Sequence, residues 1–199
     1  MFFPSALPVE MTWPTKPDEK GLKPFREPVL AGGTERPYTE EFRFIWMRTF
    51  DPPVAIRAFA DKDGARLRVV RLDGKGGYEL GKIDLDKTAD LTKNDWDELK
   101  ALTKRPKARH PLRGMTVFQK VFLYPLDGST WTLEVRNTEN YSHEIVPSPL
   151  TLIRYIGRKE ELVDDFVLPD VRDFAAVCQR LLKLARSAEP KLFEDEDLY

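Results

Sequence analysis

The sequence predicts an α+β fold: an antiparallel β-meander sheet carrying two helices, at about 92–104 and 170–186, behind a Pro-rich N-terminal arm. Three observations predict it. Short runs rich in Phe, Ile, Val and Trp are separated by turn signals from Glu41 to Leu72 and again from Thr116 to Val146. Two segments switch to apolar spacing of three and four residues, the mark of a helix with one buried face. The resulting order is strands, helix, strands, helix, and strands grouped in runs favour an antiparallel sheet with helices on one side.

The arm comes first. Of sixteen prolines, nine (Pro4, Pro8, Pro14, Pro17, Pro24, Pro28, Pro37, Pro52 and Pro53) fall in the first 53 residues. Proline fixes φ and removes a donor, so residues 1–38 are expected to lack helix and to run as an extended arm up to Gly32-Gly33. Its aromatic residues Phe2, Phe3, Trp13 and Phe25 suit an arm that wraps over its own domain or over a partner. The single α+β domain is then 39–188, and 189–199 is an acidic, frayed tail ending in FEDEDLY.

Within the domain, EFRFIWMRTF (41–50) reads as a strand buried on much of both faces. Asp51-Pro52-Pro53 turns the chain, VAIRAFA (54–60) returns it, and Asp63-Gly64 leads into ARLRVVRL (65–72). A glycine-rich turn, DGKGG (73–77), precedes a short strand around Tyr78–Ile83. LTKNDWDELKALTK (91–104) is a helix with Thr92 as N-cap, Asp95 completing a capping box, and Trp96, Leu99 and Leu102 on one face. A basic loop (104–114) leads to strands at 116–124, 130–136, 141–146 and 150–156. The last helix has Asp170 as cap and buries Val171, Phe174, Val177, Cys178, Leu181, Leu182 and Ala185.

Composition narrows the function. A chain of 199 residues with 41% hydrophobic and 33% charged residues can bury one proper core. Lys and Arg (32) nearly cancel Asp and Glu (33), so no global field points to nucleic acid or to an anionic membrane. No apolar run reaches the roughly 18 residues of a membrane span. MFFPSALPVEM lacks a basic start and is broken by Pro4 and Pro8, so it does not read as a signal peptide. Either the protein is cytosolic or a signal has been removed. One cysteine, Cys178, precludes an internal disulfide and leaves both compartments open.

Candidate sites are few. Two histidines, one cysteine and no Cys-x-x-Cys or calcium-loop spacing point to no metal and no cofactor. In DGKGG the lysine precedes the last glycines and no Ser or Thr opens a helix, so this is a hairpin loop and not a phosphate cradle. His143 sits between Ser142 and Glu144, and three consecutive strand residues cannot form a triad among themselves. Two hairpin registers compete. A five-residue loop (136–140) sets Val135 opposite Tyr141, Leu133 opposite His143 and Trp131 opposite Ile145, whereas a four-residue loop (137–140) sets Glu134 opposite His143. The first gathers the apolar side chains on one face and is expected, with His143 a structural residue beside Trp131, Leu133 and Tyr141. The remaining feature is basic: Arg43, Arg48, Arg57, Arg66, Arg68 and Arg71 lie on the first strands, and with Trp13 and Phe25 they make a candidate protein-binding face.

A resemblance adds to this. Asp127-Gly128-x-x-Trp131-x-Leu133-Glu134, then Tyr141-x-His143 and Pro147-Ser148-Pro149, resemble a hairpin frame shared by a group of uncharacterised bacterial proteins. So do FRFxWxRxF (42–50), PxAIR (53–57) and LDGKGGYELGKI (72–83). The frame is spread over about 41–186. Ser142 and the SHEIVPSP stretch depart from it where the group carries a second Trp. The resemblance implies an export or lipoprotein leader and hence a periplasmic or envelope home; it implies no activity. The expected function is therefore a non-enzymatic factor that binds another protein in the bacterial envelope. A small-molecule ligand is not expected. The alternatives are an inhibitor or immunity protein for a secreted toxin, and a hydrolase using His143.

Overall fold

The computed structural model describes residues 19–31, 38–48, 51–75, 79–105, 108, 129–147 and 171–193. They form a six-stranded antiparallel sheet and two long helices, the α+β arrangement that the element order predicts. The strands are β1 (Glu40–Arg48), β2 (Val54–Asp61), β3 (Gly64–Leu72), β4 (Ile83–Leu91), β5 (Ser129–Arg136) and β6 (Tyr141–Pro147), in spatial order β4-β3-β2-β1-β5-β6. The helices are α2 (Lys93–Thr103) and α3 (Arg172–Ala188); α1 (Glu19–Leu22) is a single turn.

Strand alternation divides the sheet into two faces. One carries Phe42, Phe44 and Trp46 of β1, Val54, Ile56 and Ala58 of β2, Leu67 and Val69 of β3, and Trp131, Leu133 and Val135 of β5. These pack against Trp96 and Leu99 of α2 and against Phe174, Val177, Cys178 and Leu181 of α3, forming the main core. Trp131 meets Phe44 and Trp46 edge-on, with ring centroids 5.2 and 6.1 Å apart. The apolar stripes on both helices therefore bury as their spacing predicts. The Thr92 hydroxyl accepts from the Asp95 N–H while the Asp95 carboxylate accepts from the Thr92 N–H, a complete capping box. Arg180 of α3 reaches Asp95 and Glu98 and ties the two helices together.

The opposite face is covered by the chain's own N-terminal segment. Leu22 and Phe25 pack onto Ile45, Ala55, Val70 and Leu72 as a second, smaller core, and Leu30 is buried as well. The expectation of an arm without helix fails over this stretch: α1 is followed by a 3-10 turn at Lys23–Phe25, closed by Arg26 in the left-handed region (φ 52°). Pro24 suits the start of a turn because its missing N–H would have no partner there. Of the docking alternatives, residues 19–31 take the intramolecular one; Trp13 lies outside the described residues.

Other elements differ in extent. The strand expected around Tyr78–Ile83 is instead β4, nine residues from Ile83, preceded by a loop in which Asp73 N–H donates to the Lys82 carbonyl. Its alternation of Asp, Lys and Thr with Leu and Ala belongs to a marginal strand that is solvated on much of its surface. Helix α3 begins after Val171, which supplies no side-chain cap; the expected cap, Asp170, lies outside the described residues. Within the expected tail, a 3-10 turn at Pro190–Phe193 buries Leu192, so fraying does not begin at 189. The strands expected at 116–124 and 150–156, and the basic loop from 106 on except for Ala108, lie outside the described residues.

The hairpin register is the main correction. Arg136 pairs with Tyr141, Glu134 with His143, Thr132 with Ile145 and Trp131 with Val146: the four-residue loop 137–140. Asn137 selects it. Its N–H donates to the Asn140 carbonyl (2.9 Å), and its side-chain oxygen accepts from the Glu139 and Asn140 N–H groups at 3.0 and 2.7 Å. An Asn that satisfies its own turn in this way fixes the loop length locally. The pairing places His143 on the face opposite Trp131 and Leu133.

Candidate functional site

The face beneath the N-terminal segment carries the concentrated chemistry of the molecule. Strands β1, β2, β3 and β5 contribute Glu41 and Arg43, Arg57, Arg68, and Glu134 and Arg136 to it, in register. A sheet face normally keeps such residues wet. Here the segment at 19–31 closes over them, and the Arg43, Glu41 and Glu134 side chains are within 1% of complete burial.

Burial obliges each charge to find a partner. The Arg43 guanidinium donates to Glu134 across the β1–β5 pair. Arg57 meets Glu41 at 3.0 Å, and Arg136 meets the other oxygen of the same carboxylate at 2.9 Å. Arg68 grips Asp86 of β4 with two parallel bonds, 2.9 and 2.8 Å. Glu27 descends from the N-terminal segment onto three of these cations, Arg57 (2.9 Å), Arg68 (2.6 Å) and Arg43 (3.5 Å). Among the described residues, four arginines (43, 57, 68, 136) thus meet four carboxylates (Glu27, Glu41, Glu134, Asp86).

At the β6 margin the layer becomes accessible. The Tyr141 hydroxyl donates to Glu134 Oε1 (2.8 Å), and the Tyr141 ring stacks on His143 with centroids 5.8 Å apart. Tyr141, His143 and Ile145 are each half-buried and lie in one row along β6. Burial pushes the Glu134 carboxyl above its ordinary range, against the opposing pull of Arg43 and the Tyr141 hydroxyl. Burial, reinforced by the neighbouring Glu134 charge, raises the Tyr141 phenol as well.

The residues singled out from sequence fall in several places. Arg43, Arg57, Arg66 and Arg68 share this face, whereas Arg48 and Arg71 lie on the helix side by strand parity. Arg48 donates to the Pro52 carbonyl and lies over the Trp46 ring; Arg71 pairs with Asp84 and donates to the Lys191 and Leu192 carbonyls. Arg66 pairs with Asp61 in the β2–β3 hairpin. The six do not form one open surface, and each holds a partner within the chain. Phe25 is buried against its own sheet. Sequence reasoning missed Glu27, Glu41, Glu134 and Tyr141 as members of one cluster; the alternation of Glu and Arg on β1 and β5 was its only trace.

Elsewhere the chemistry is sparse. Cys178 is fully buried in the main core, which pushes its thiol up and keeps it protonated. Among the described residues no group of three or more His, Cys, Asp or Glu could hold a metal ion, and no helix is long and apolar enough to cross a membrane. A depression of about 270 Å³ at the β2–β3 hairpin is lined by Asp63, Arg66, Asp90 and Leu91. No protein-family model matches the chain, and no curated protein matches it.

Proposed function

We propose that the protein is a non-enzymatic binding protein that recognises another protein through the β6 margin of the sheet. The observation that carries this is the row Tyr141, His143 and Ile145, an aromatic pair and an aliphatic side chain left half-covered beside a rigid ionic layer. Tyrosine at an interface supplies apolar area together with a polar tip at low entropic cost, and the bond to Glu134 holds its ring in place before any partner arrives. The resemblance to a group of bacterial proteins supports a partner in the cell envelope, with a secreted toxin as the alternative target.

The test is co-purification with a tagged full-length chain, followed by titration of the recovered protein against the pure chain. Stoichiometric binding that falls at least about tenfold with Ile145→Arg supports the reading. Recovery that is indifferent to the β6 row contradicts it.

A second reading has one specific observation in its favour: Glu134 lies opposite His143, as a carboxylate that orients a catalytic imidazole would. Under this reading His143 is the general base of a hydrolase. Loss of a measured hydrolysis in His143→Ala with an unchanged melting temperature would favour it over binding.

A further inference from the structure

We propose that Arg43, Arg57 and Arg68 form a carboxylate-binding site for a turn of a partner protein that carries a glutamate or aspartate, and that residues 19–31 occupy this site as an internal stand-in. The inference rests on the binding reading above and supplies the chemistry of the partner.

Each of the three arginines keeps a permanent carboxylate on the sheet: Glu134 for Arg43, Glu41 for Arg57 and Asp86 for Arg68. Those pairs fix the guanidinium planes. Arg43 and Arg68 each turn a remaining N–H to Glu27, and the Arg57 Nε lies 2.9 Å from it as an ion pair, so the cradle is oriented by the sheet and not by its occupant. Among the described residues, lifting Glu27 away leaves four arginines (43, 57, 68, 136) against three carboxylates (Glu41, Glu134 and the exposed Asp86), one net positive charge. That vacancy has the charge and fork geometry of a carboxylate site.

The cradle reads little else of the segment. Arg68 donates to the Arg26 carbonyl at 3.2 Å and Arg43 to the Pro28 carbonyl, the two backbone groups flanking Glu27. Arg26 is left-handed (φ 52°) and closes the 3-10 turn, so these carbonyls are presented from a turn. The other anchors are Phe25, two residues before the carboxylate, together with Leu22 and Leu30. The matching ligand is thus an acidic residue just after a tight turn, with an aromatic residue two positions earlier. A strap with no further role would be held as well by apolar contacts alone, since buried ion pairs seldom out-stabilise apolar packing of the same volume. The carboxylate adds selectivity, which is what a competing ligand would exploit.

Thiol labelling of the full chain with Leu22→Cys tests this. The new thiol reports lifting of the segment, and Cys178, buried in the main core, reports global unfolding in the same molecule. Labelling at position 22 is expected to outpace Cys178 by about tenfold or more, as local opening outpaces global unfolding. A synthetic peptide of residues 19–31 should accelerate it further by trapping the open state, and the same peptide with Glu27→Ala should not. Leu30→Cys, at the other end of the segment, repeats the measurement if the first variant folds poorly. Equal rates at the two thiols, or acceleration that ignores Glu27, would overturn the proposal. A protein partner that binds while position 22 stays protected would overturn it too and leave the binding reading standing. Peptide uptake through Glu27 in a chain without a protein partner would uphold the site and overturn the binding reading.

Discussion

Arg43 of β1 and Glu134 of β5 lie directly opposite each other on neighbouring strands, and both side chains are closed to solvent. The pair links the two ends of the site: Arg43 also holds the Pro28 carbonyl of the N-terminal segment, and Glu134 also holds the Tyr141 hydroxyl at the β6 margin. Loss of either member reaches both covers of the face.

Removing one partner should therefore cost far more than removing both. Arg43→Met leaves Glu134 as an uncompensated buried charge and is expected to destabilise by about 3–5 kcal/mol in denaturant unfolding. Adding Glu134→Leu should recover part of that loss, because the double variant strands no carboxylate at this position. A double variant less stable than Arg43→Met would mean that the pair is held for its bonds and not for charge balance.

The pH dependence of Glu134 has a definite sign. Its folded carboxyl is raised, chiefly by burial, so in the unfolded chain it ionises at lower pH than in the folded one. Its contribution is present in full below the ordinary glutamate range and is lost as pH rises through the folded value. Relative to Glu134→Gln, the wild-type protein should lose stability as pH climbs from about 4.5, then level off. Urea unfolding of both proteins from pH 4 to 7 measures it. A difference that grows in favour of the wild type with rising pH would show that Arg43 outweighs burial.

Phe174→Ala should cost about 3–5 kcal/mol, the range for truncating a core aromatic. Phe174 is completely buried between α3 and the sheet, beside Val177, Cys178 and Leu181. A loss below about 1 kcal/mol would contradict the packing of α3 on this face.

Local signals made much of the fold legible. Thr92 and Asp95 announce the start of α2, Asp63-Gly64 marks the β2–β3 turn, with Gly64 at φ +138°, and the stripe from Val171 to Ala185 marks α3 as the helix with the strongest buried face. The site was not legible, for a physical reason. Glu41, Arg43, Glu134 and Arg136 alternate with apolar residues just as a solvated face does, and only the segment carrying Glu27 turns that face into an interior. That segment joins Arg57 and Arg68 across about 30 and 41 positions of chain, a contact without period or motif. The hairpin register failed for the same reason. Gathering apolar side chains on one face is the better arrangement only if the other face is water, and here the other face offers Glu134 two partners and lets Asn137 close its preferred loop.

The central claim is that the half-covered row on β6 binds a protein and does no chemistry. The most direct measurement is affinity of the co-purified partner for wild type, Ile145→Arg and His143→Ala, each first shown to be folded by its melting temperature. The account predicts stoichiometric binding by the wild type and a loss of about tenfold or more in Ile145→Arg, with no hydrolytic activity that depends on His143. Equal affinity for all three proteins, or a hydrolysis abolished by His143→Ala at unchanged melting temperature, would contradict it.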